Sequence, residues 1–182
     1  MSMEALPTVE DLEARWLVAP PAPRSSGTVR LICIRRGEGV HETPGRVEVT
    51  LAGGVEGDRW AAGERPDLDA QVTLMNVRVT ELIAGDDSPL DAPGDNFLVD
   101  LDLAETELPV GTQLRIGSAL LEVSPAPHTG CKKFRERFGL DALLWVNDHG
   151  DRRLRGMNCR VIEAGAVAVG DPVEIAAQNG HS

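Results

Sequence analysis

Tyrosine is absent from this sequence, and aromatic residues as a whole are scarce, with three tryptophans and three phenylalanines in 182 residues. Proteins that bind single-stranded nucleic acid without sequence preference stack the bases on aromatic side chains, so this shortage argues against such a function. Basic residues are also few, since 18 Lys and Arg stand against 29 Asp and Glu and leave a net charge of −11. Because duplex DNA and anionic lipid repel such a chain, we expect neither nucleic acid nor a membrane as partner.

Cysteine is scarce as well. The three cysteines, Cys33, Cys131 and Cys159, are odd in number and have no C-x-x-C spacing, which argues against a disulfide framework and a zinc knuckle. No apolar run reaches the about 20 residues of a membrane helix, and residues 1–20 lack the regions of a secretory signal. We therefore expect a cytoplasmic protein. The G-x-S-x-G and H-E-x-x-H motifs are missing too, so nothing indicates a serine hydrolase or a zinc protease.

What is present is a series of short apolar and β-branched segments separated by turns, in a chain with 19 Gly and 12 Pro. The segments that read as strands are residues 28–35, 47–51, 71–75, 97–103, 113–116, 120–124, 157–163 and 166–175. Residues 76–83 read as a helix capped by Asn76, with a strand as the alternative, and residues 52–70 read as an irregular loop. With little strand–helix alternation, the pattern predicts a mostly antiparallel β-barrel with a few short helices.

The pattern also predicts a division of the chain. Residues 1–26 form an N-terminal extension, in which Thr8 and Asp11 suggest a capping box and Leu12 and Trp16 a short apolar stripe. Residues 27–176 form the barrel domain, and residues 177–182 form a frayed C-terminal tail.

The most reactive group in the sequence is Cys131, which lies between a proline-rich segment and a short helical pattern. Thr129 is a plausible N-cap residue, and Phe134 and Phe138 lie four residues apart, as on one face of a helix that Gly139 would end. These assignments place Cys131 in the first helical turn. Cys33, by contrast, has isoleucine on both sides and is expected in the core.

Several neighbours favour the thiolate form of Cys131, which is the nucleophilic and metal-binding form. The free amide groups of the helix N-terminus and the charges of Lys132 and Lys133 would stabilise an anion, and His128 is close enough in sequence to hydrogen-bond it. A buried structural thiol is the alternative. A glycine and two lysines as neighbours favour the functional interpretation.

Two further features suggest an anion site. Residues 131–160 hold eight of the 18 basic residues and only four acids, which is typical either of a solvated helix face or of a pocket for a small anion. The loop at residues 53–60 contains Gly57, Asp58 and Arg59; its glycines would let backbone N–H groups approach an anion, and Arg59 would add a bidentate contact. A plain turn at Gly57 and Asp58 is the alternative.

Seven short segments, taken in order along the chain, resemble the MOSC domain. They are GTV at 27–29, GGVEGDR at 53–59, QVTLMN at 71–76, GDNFLV at 94–99, PVGTQLRIG at 109–117, HTGC at 128–131 and VGDP at 169–172. The resemblance runs from about Gly27 to Glu174, and GGVEGDR and HTGC are its most specific parts. It implies a β-barrel that holds the molybdenum cofactor, a molybdopterin, with Cys131 as a ligand of the metal or a carrier of sulfur.

The resemblance also implies roles for further residues. Cys131 and His128 would be the catalytic residues, with Cys131 also the metal ligand. Residues expected to contact the cofactor are Gly57, Asp58, Arg59, Asn96, Thr129, Lys132, Lys133 and Arg160. Lys132, Lys133 and Arg160 would neutralise the cofactor phosphate, and Asn96 would orient a ligand or cap a turn.

The function implied is an oxidoreductase that reduces N-hydroxylated small molecules at the cysteine-ligated molybdenum, with electrons from a partner reductase. The alternative is a carrier without catalytic activity, which would hold the cofactor or a persulfide supplied by a sulfur donor protein. A barrel that binds some other small anion is a third interpretation.

Overall fold

A closed barrel of seven strands forms the centre of the molecule. The structure is a computed structural model and describes residues 5–86, 88–148 and 150–176. The barrel strands, in their order around the barrel, are β1 (Ser26–Ile32), β12 (Pro172–Ile175), β8 (Gln113–Ile116), β9 (Ala119–Val123), β10 (Met157–Glu163), β6 (Val72–Asn76) and β7 (Phe97–Asp100). Their inward side chains form the main core, and the prediction of a mostly β barrel is confirmed.

All neighbouring barrel strands pair antiparallel except β6 and β7, which are parallel. A parallel pair needs a crossover, and helix α2 (Val77–Ala84) supplies it. The Asn76 side chain caps this helix by accepting from the N–H of Arg78 at 3.0 Å, as the sequence predicted. The order of strand, helix and strand matches the sequence prediction, but the parallel pairing of β6 with β7 was not predicted.

Two small sheets flank the barrel. The strands β4 (Arg46–Thr50), β5 (Gly54–Val55) and β11 (Gly165–Ala168) form one, and the hairpin of β2 (Ile34–Gly37) and β3 (Val40–Glu42) forms the other. The single strand predicted at residues 28–35 is thus two strands, with buried Cys33 between them. The loop predicted to be irregular also holds regular elements, namely β5 and 3-10 helices at Arg59–Ala62 and Leu68–Ala70.

Helix α3 (Lys132–Asn147) follows β9 and leads through a 3-10 turn at Gly150–Arg152 into β10. Gly139 interrupts α3 with a φ of 90° and a ψ of 170°, which glycine adopts without strain, so the predicted helix end appears as a kink. Among the described residues, no helix has the length and apolar character needed to cross a membrane. The predicted tail at 177–182 lies outside the described residues.

The N-terminal helix α1 (Val9–Val18) packs on α2 and α3. The predicted capping box is present, because the Thr8 hydroxyl accepts from the N–H of Asp11 while the Asp11 carboxylate accepts from the N–H of Thr8. Leu12 is fully buried in a second apolar cluster with α2 and α3, and Trp16 meets Trp145 edge to face at 6.1 Å. The extension therefore contributes to the packing of α3.

Replacement of Leu12 by Ala is expected to lower the free energy of unfolding by about 2–5 kcal/mol, because it opens a cavity at a fully buried position. Leu17 lies on the same helix but is 72% exposed, so Leu17→Ala is the matched control, with an expected change within about 0.5 kcal/mol. Urea titration followed by circular dichroism measures both. Equal midpoints for the two variants would show that α1 contributes little to stability.

Candidate functional site

Five of the residues singled out in the sequence line one cavity of about 210 Å³ at the start of α3. Arg59 comes from the 3-10 turn after β5, His128 and Thr129 from the loop after β9, and Cys131 and Lys133 from the beginning of α3. The fold thus joins the two segments that carried the family resemblance most specifically.

Cys131 is exposed and is the N-cap residue of α3. The prediction that Thr129 caps the helix is wrong, because the backbone of Cys131 is itself extended, with φ −115° and ψ −176°. The thiol makes no capping hydrogen bond, but it lies at the positive end of the helix. The N–H of Phe134 has the largest effect on its pKa and lowers it; burial opposes this, and the N–H of Lys133 and the charge of Arg155 add to the lowering.

The other two cysteines differ from Cys131 in both exposure and pKa. Cys33 and Cys159 are both fully buried, and burial raises the pKa of each thiol to about 12. Brief treatment with iodoacetamide near neutral pH should therefore alkylate Cys131 and leave Cys33 and Cys159 unmodified until the protein unfolds. Peptide mass spectrometry measures the three rates, and equal labelling would contradict the assignment of a reactive thiol.

A buried charged network adjoins the cavity. The carboxylate of Asp95 has no exposed surface and accepts hydrogen bonds from His128 Nε2 and Arg155 Nη1, both at 2.6 Å. Burial alone would raise the pKa of Asp95, but the charges and hydrogen bonds of Arg155 and His128 outweigh it and lower that pKa to about 2. His128 was expected to hydrogen-bond Cys131 and instead donates to Asp95, which leaves Nδ1 as the ring atom able to exchange a proton.

Arg155 also contacts residues other than Asp95. Its guanidinium lies 5.0 Å from the centre of the Phe134 ring, and Nη2 donates to the carbonyl oxygen of Pro93 at 3.3 Å. Its Nε is buried and has no hydrogen-bond partner among the described residues. A buried donor without a partner is costly, so this atom is suited to an acceptor from a bound ligand or to an ordered water.

Asp58 and Asn96 support the cavity and do not line it. The Asp58 carboxylate binds Arg35 side-on, with Nε to Oδ2 at 3.0 Å and Nη2 to Oδ1 at 2.8 Å, and Asn96 Nδ2 donates to Oδ2 at 3.0 Å. Asp58 also caps the turn that carries Arg59 by accepting from the N–H of Trp60. Burial opposes ionisation of Asp58, but Arg35 lowers its pKa, so it stays a carboxylate that holds Arg35 in the cavity wall.

The cavity is rich in cations, although not all of those predicted. Its basic lining residues are Arg35, Arg59, Lys133, Arg137 and Arg155, with His41 and His128 beside them. Lys133 also pairs with Glu38 in the turn between β2 and β3. Besides Asp58 and Asn96, three more of the predicted cofactor residues do not line it. Lys132 is 88% exposed and lies near Glu136, Arg160 on β10 pairs with Asp69, and Gly57 contacts Arg36 through its carbonyl oxygen.

Four important residues were not singled out from the sequence, namely Arg35, Arg137, Arg155 and Asp95. Arg137 and Arg155 lie in the basic segment, but composition could not separate them from Lys132 and Arg160, which point elsewhere. Asp95 lies in the GDNFLV segment beside Asn96, and it was Asn96 that the sequence predicted to contact the cofactor. Nothing in the sequence around Arg35 marks it, because its role depends on its contact with Asp58.

The comparison with known proteins now identifies the family. A sequence model described as MOSC domain matches residues 77–174, which is more than half of the chain. The chain belongs to the MOSC domain family. The resemblance inferred from the sequence is therefore confirmed. A search of curated proteins finds no significant match.

Solved structures share the fold of this chain. The YuaD protein from Bacillus subtilis has a TM-score of 0.60 at 18% identity, over 84% of this chain and 97% of that one. YiiM from Escherichia coli has a TM-score of 0.56 at 20% identity, over 83% and 70% of the two chains. YiiM from Geobacillus stearothermophilus has a TM-score of 0.55 at 20% identity, over 89% and 78%. At these identities the similarity shows that the fold is shared.

Proposed function

We propose that this MOSC domain binds the molybdenum cofactor in the cavity at the start of α3, with the Cys131 thiolate as a protein ligand of the metal. The observation that carries the proposal is an exposed thiol of lowered pKa in a cavity lined by five cationic side chains. Thiolate sulfur suits soft metal centres, and cations suit a phosphate group.

The residues present fit this cofactor. Among the described residues, no group of three or more His, Cys, Asp or Glu could hold a metal ion by itself, so a metal bound at Cys131 must bring most of its ligands with it. A molybdopterin does so through its own sulfur atoms. The cavity of about 210 Å³ is smaller than the roughly 300–1,000 Å³ that encloses drug-sized ligands, so the cofactor would be only partly enclosed.

Each side chain has a distinct part in this proposal. Arg59 reaches the cavity from the 3-10 turn after β5, and Lys133 and Arg137 reach it from α3; these three side chains would hold the phosphate. Arg155 is fixed by Asp95 and Phe134, so its charge acts on the Cys131 thiolate from a constant position. His128 is oriented by Asp95 and would give or take a proton at Nδ1.

The activity we propose is reduction of an N-hydroxylated small molecule. Breaking the N–O bond takes two electrons and two protons. The bound cofactor would supply the electrons, His128 would supply one proton to the hydroxyl group that leaves as water, and the nitrogen would take the second proton from solvent. No flavin, haem or iron–sulfur motif is present in the sequence, so the electrons would come from a separate reductase in the cytoplasm.

The test is to produce the full chain in a host that synthesises the molybdenum cofactor and to measure molybdenum by mass spectrometry. The purified protein should contain molybdenum close to one atom per chain, and with a chemical electron donor it should convert hydroxylaminopurine to aminopurine. Protein that remains free of molybdenum under these conditions would refute the proposal. Molybdenum without turnover would favour the cofactor carrier, whereas a persulfide on Cys131 without molybdenum would favour the sulfur carrier.

Lys133 and Lys132 offer a matched test of the phosphate contact, since they are adjacent but only Lys133 lines the cavity. Lys133→Gln should weaken cofactor binding by about tenfold at low ionic strength, and less at high ionic strength, because the lost interaction is attraction between charges. Lys132→Gln should leave the affinity unchanged. Fluorescence titration with released cofactor measures both, and equal losses would show that the general charge of the helix is responsible.

A further inference from the structure

A second cavity, of about 220 Å³, adjoins the first and shares His128, Thr129 and Arg155 with it. It is not lined by Cys131. About half of its wall is apolar, with Val110, Val146 and Met157 together with the prolines of the 125–127 segment. We propose that this cavity binds a small organic monocarboxylate, whose carboxylate is held by Arg153 and whose apolar body contacts the apolar part of the wall.

The hydrogen bonds of Arg153 leave one edge of its guanidinium open. Nη1 donates to the carbonyl oxygens of Leu103 and Leu108. Within the described chain, Nε and Nη2 make no hydrogen bond, and no acidic side chain forms an ion pair with Arg153. Neither of these two nitrogen atoms is fully buried, and Arg153 lines the cavity. The open edge is therefore accessible to a ligand.

The same edge binds carboxylates at two other places in this chain. Arg35 uses Nε and Nη2 to bind Asp58 at 3.0 and 2.8 Å, and Arg78 uses them to bind Asp100 at 2.7 and 3.3 Å. The two parallel N–H groups of this edge match the two oxygens of a carboxylate. Arg153 has the same two donors and lines a cavity, and within the described residues these donors are not paired with an internal acid.

The surroundings of Arg153 also favour an anionic ligand. It is the one non-glycine residue of the described chain with a positive φ, 47°, an uncommon conformation that is found in turns and at functional sites. The bond from the N–H of Gly156 to its carbonyl oxygen holds this turn. Burial lowers the pKa of Arg153, whereas the hydrogen bond to Asp100 raises that of Arg78. A bound carboxylate would compensate the partly desolvated charge.

A monoanion fits better than a dianion. Glu105 also lines the cavity and is exposed, and it would repel a second negative charge on the ligand. The apolar part of the wall, formed by Val110, Val146, Met157 and the prolines, would contact a hydrocarbon or ring body, which inorganic phosphate lacks. An aromatic monocarboxylate such as benzoate has both properties.

The test is a titration of the native full chain with benzoate, followed by two-dimensional ¹H–¹⁵N NMR. The amide signals of Gly150 and Gly156, which line only the second cavity, should shift with a dissociation constant on the order of millimolar. The signals of Gly39 and Gly94, which line only the first cavity, should not shift. Benzamide, which has the same shape but no charge, should bind at least about tenfold more weakly.

Two arginine variants complete the test. Arg153→Gln should weaken benzoate binding by roughly ten- to a hundredfold, whereas Arg137→Gln, which removes a cation of the first cavity, should not. Shifts confined to Gly39 and Gly94, equal binding of benzamide, or no shift at about 100 mM benzoate would each overturn the proposal. The mapping uses native protein, so it decides the question even if Arg153→Gln fails to fold, and it does not depend on molybdenum.

Discussion

Replacement of Cys131 by Ser is expected to abolish molybdenum retention and turnover while the barrel stays folded. A serine hydroxyl is neither soft nor deprotonated near neutral pH, so it cannot replace a metal-bound thiolate. Outer-shell residues alone typically contribute about 10–100-fold to metal affinity, so loss of the ligand itself should cost at least about 100-fold. Molybdenum analysis, circular dichroism and the hydroxylaminopurine assay, applied to one preparation, separate a chemical loss from a structural one.

Thr129→Ala is a useful control for this variant, because Thr129 lies in the same cavity and has a similar small side chain but no thiol. It should retain most of the molybdenum. If Cys131→Ser bound as much cofactor and worked as well as the parent, the assignment of Cys131 as the metal ligand would fail, and a persulfide carrier at Cys131 would fail with it.

Asp95→Asn should have the largest effect on stability of any single polar substitution in the site. The change leaves Arg155 and His128 without their buried counter-charge, and breaking such a pair typically costs about 3–5 kcal/mol. Asp91→Asn is the matched control, since Asp91 pairs with His41 at 3.1 Å but is 23% exposed; its loss should stay within about 1 kcal/mol. Urea unfolding at neutral pH measures both values.

The Asp95 carboxylate also makes the stability of the folded protein depend on pH. The folded-state pKa of Asp95 is about 2, below the 3.8 of an unperturbed aspartate, so its ionised form stabilises the folded state fully above about pH 4. This contribution is lost as the pH falls from about 4 to 2. The stability difference between the parent and Asp95→Asn should therefore shrink over this window, and a difference that stays constant between pH 5 and pH 2.5 would contradict the assigned role of Asp95.

The sequence by itself determined the class of fold and the family, and it predicted Cys131 as the reactive residue. Alternation and turn residues are local properties, so the β8–β9 hairpin, the Asn76 cap and the break at Gly139 could all be predicted from neighbouring residues. The motif around Cys131 is local as well. It marked both the thiol and, through the resemblance that it carries, the family.

Only the tertiary structure decided which of many polar residues meet at that thiol. Lys132 and Lys133 are equivalent in the sequence, yet the rotation of about 100° per helical residue sends just one of them into the cavity. Asp95 precedes β7, His128 follows β9 and Arg155 precedes β10. They meet because β9, β10, β6 and β7 lie side by side in the barrel. Contacts between residues far apart in the chain depend on strand order, which short-range patterns do not encode.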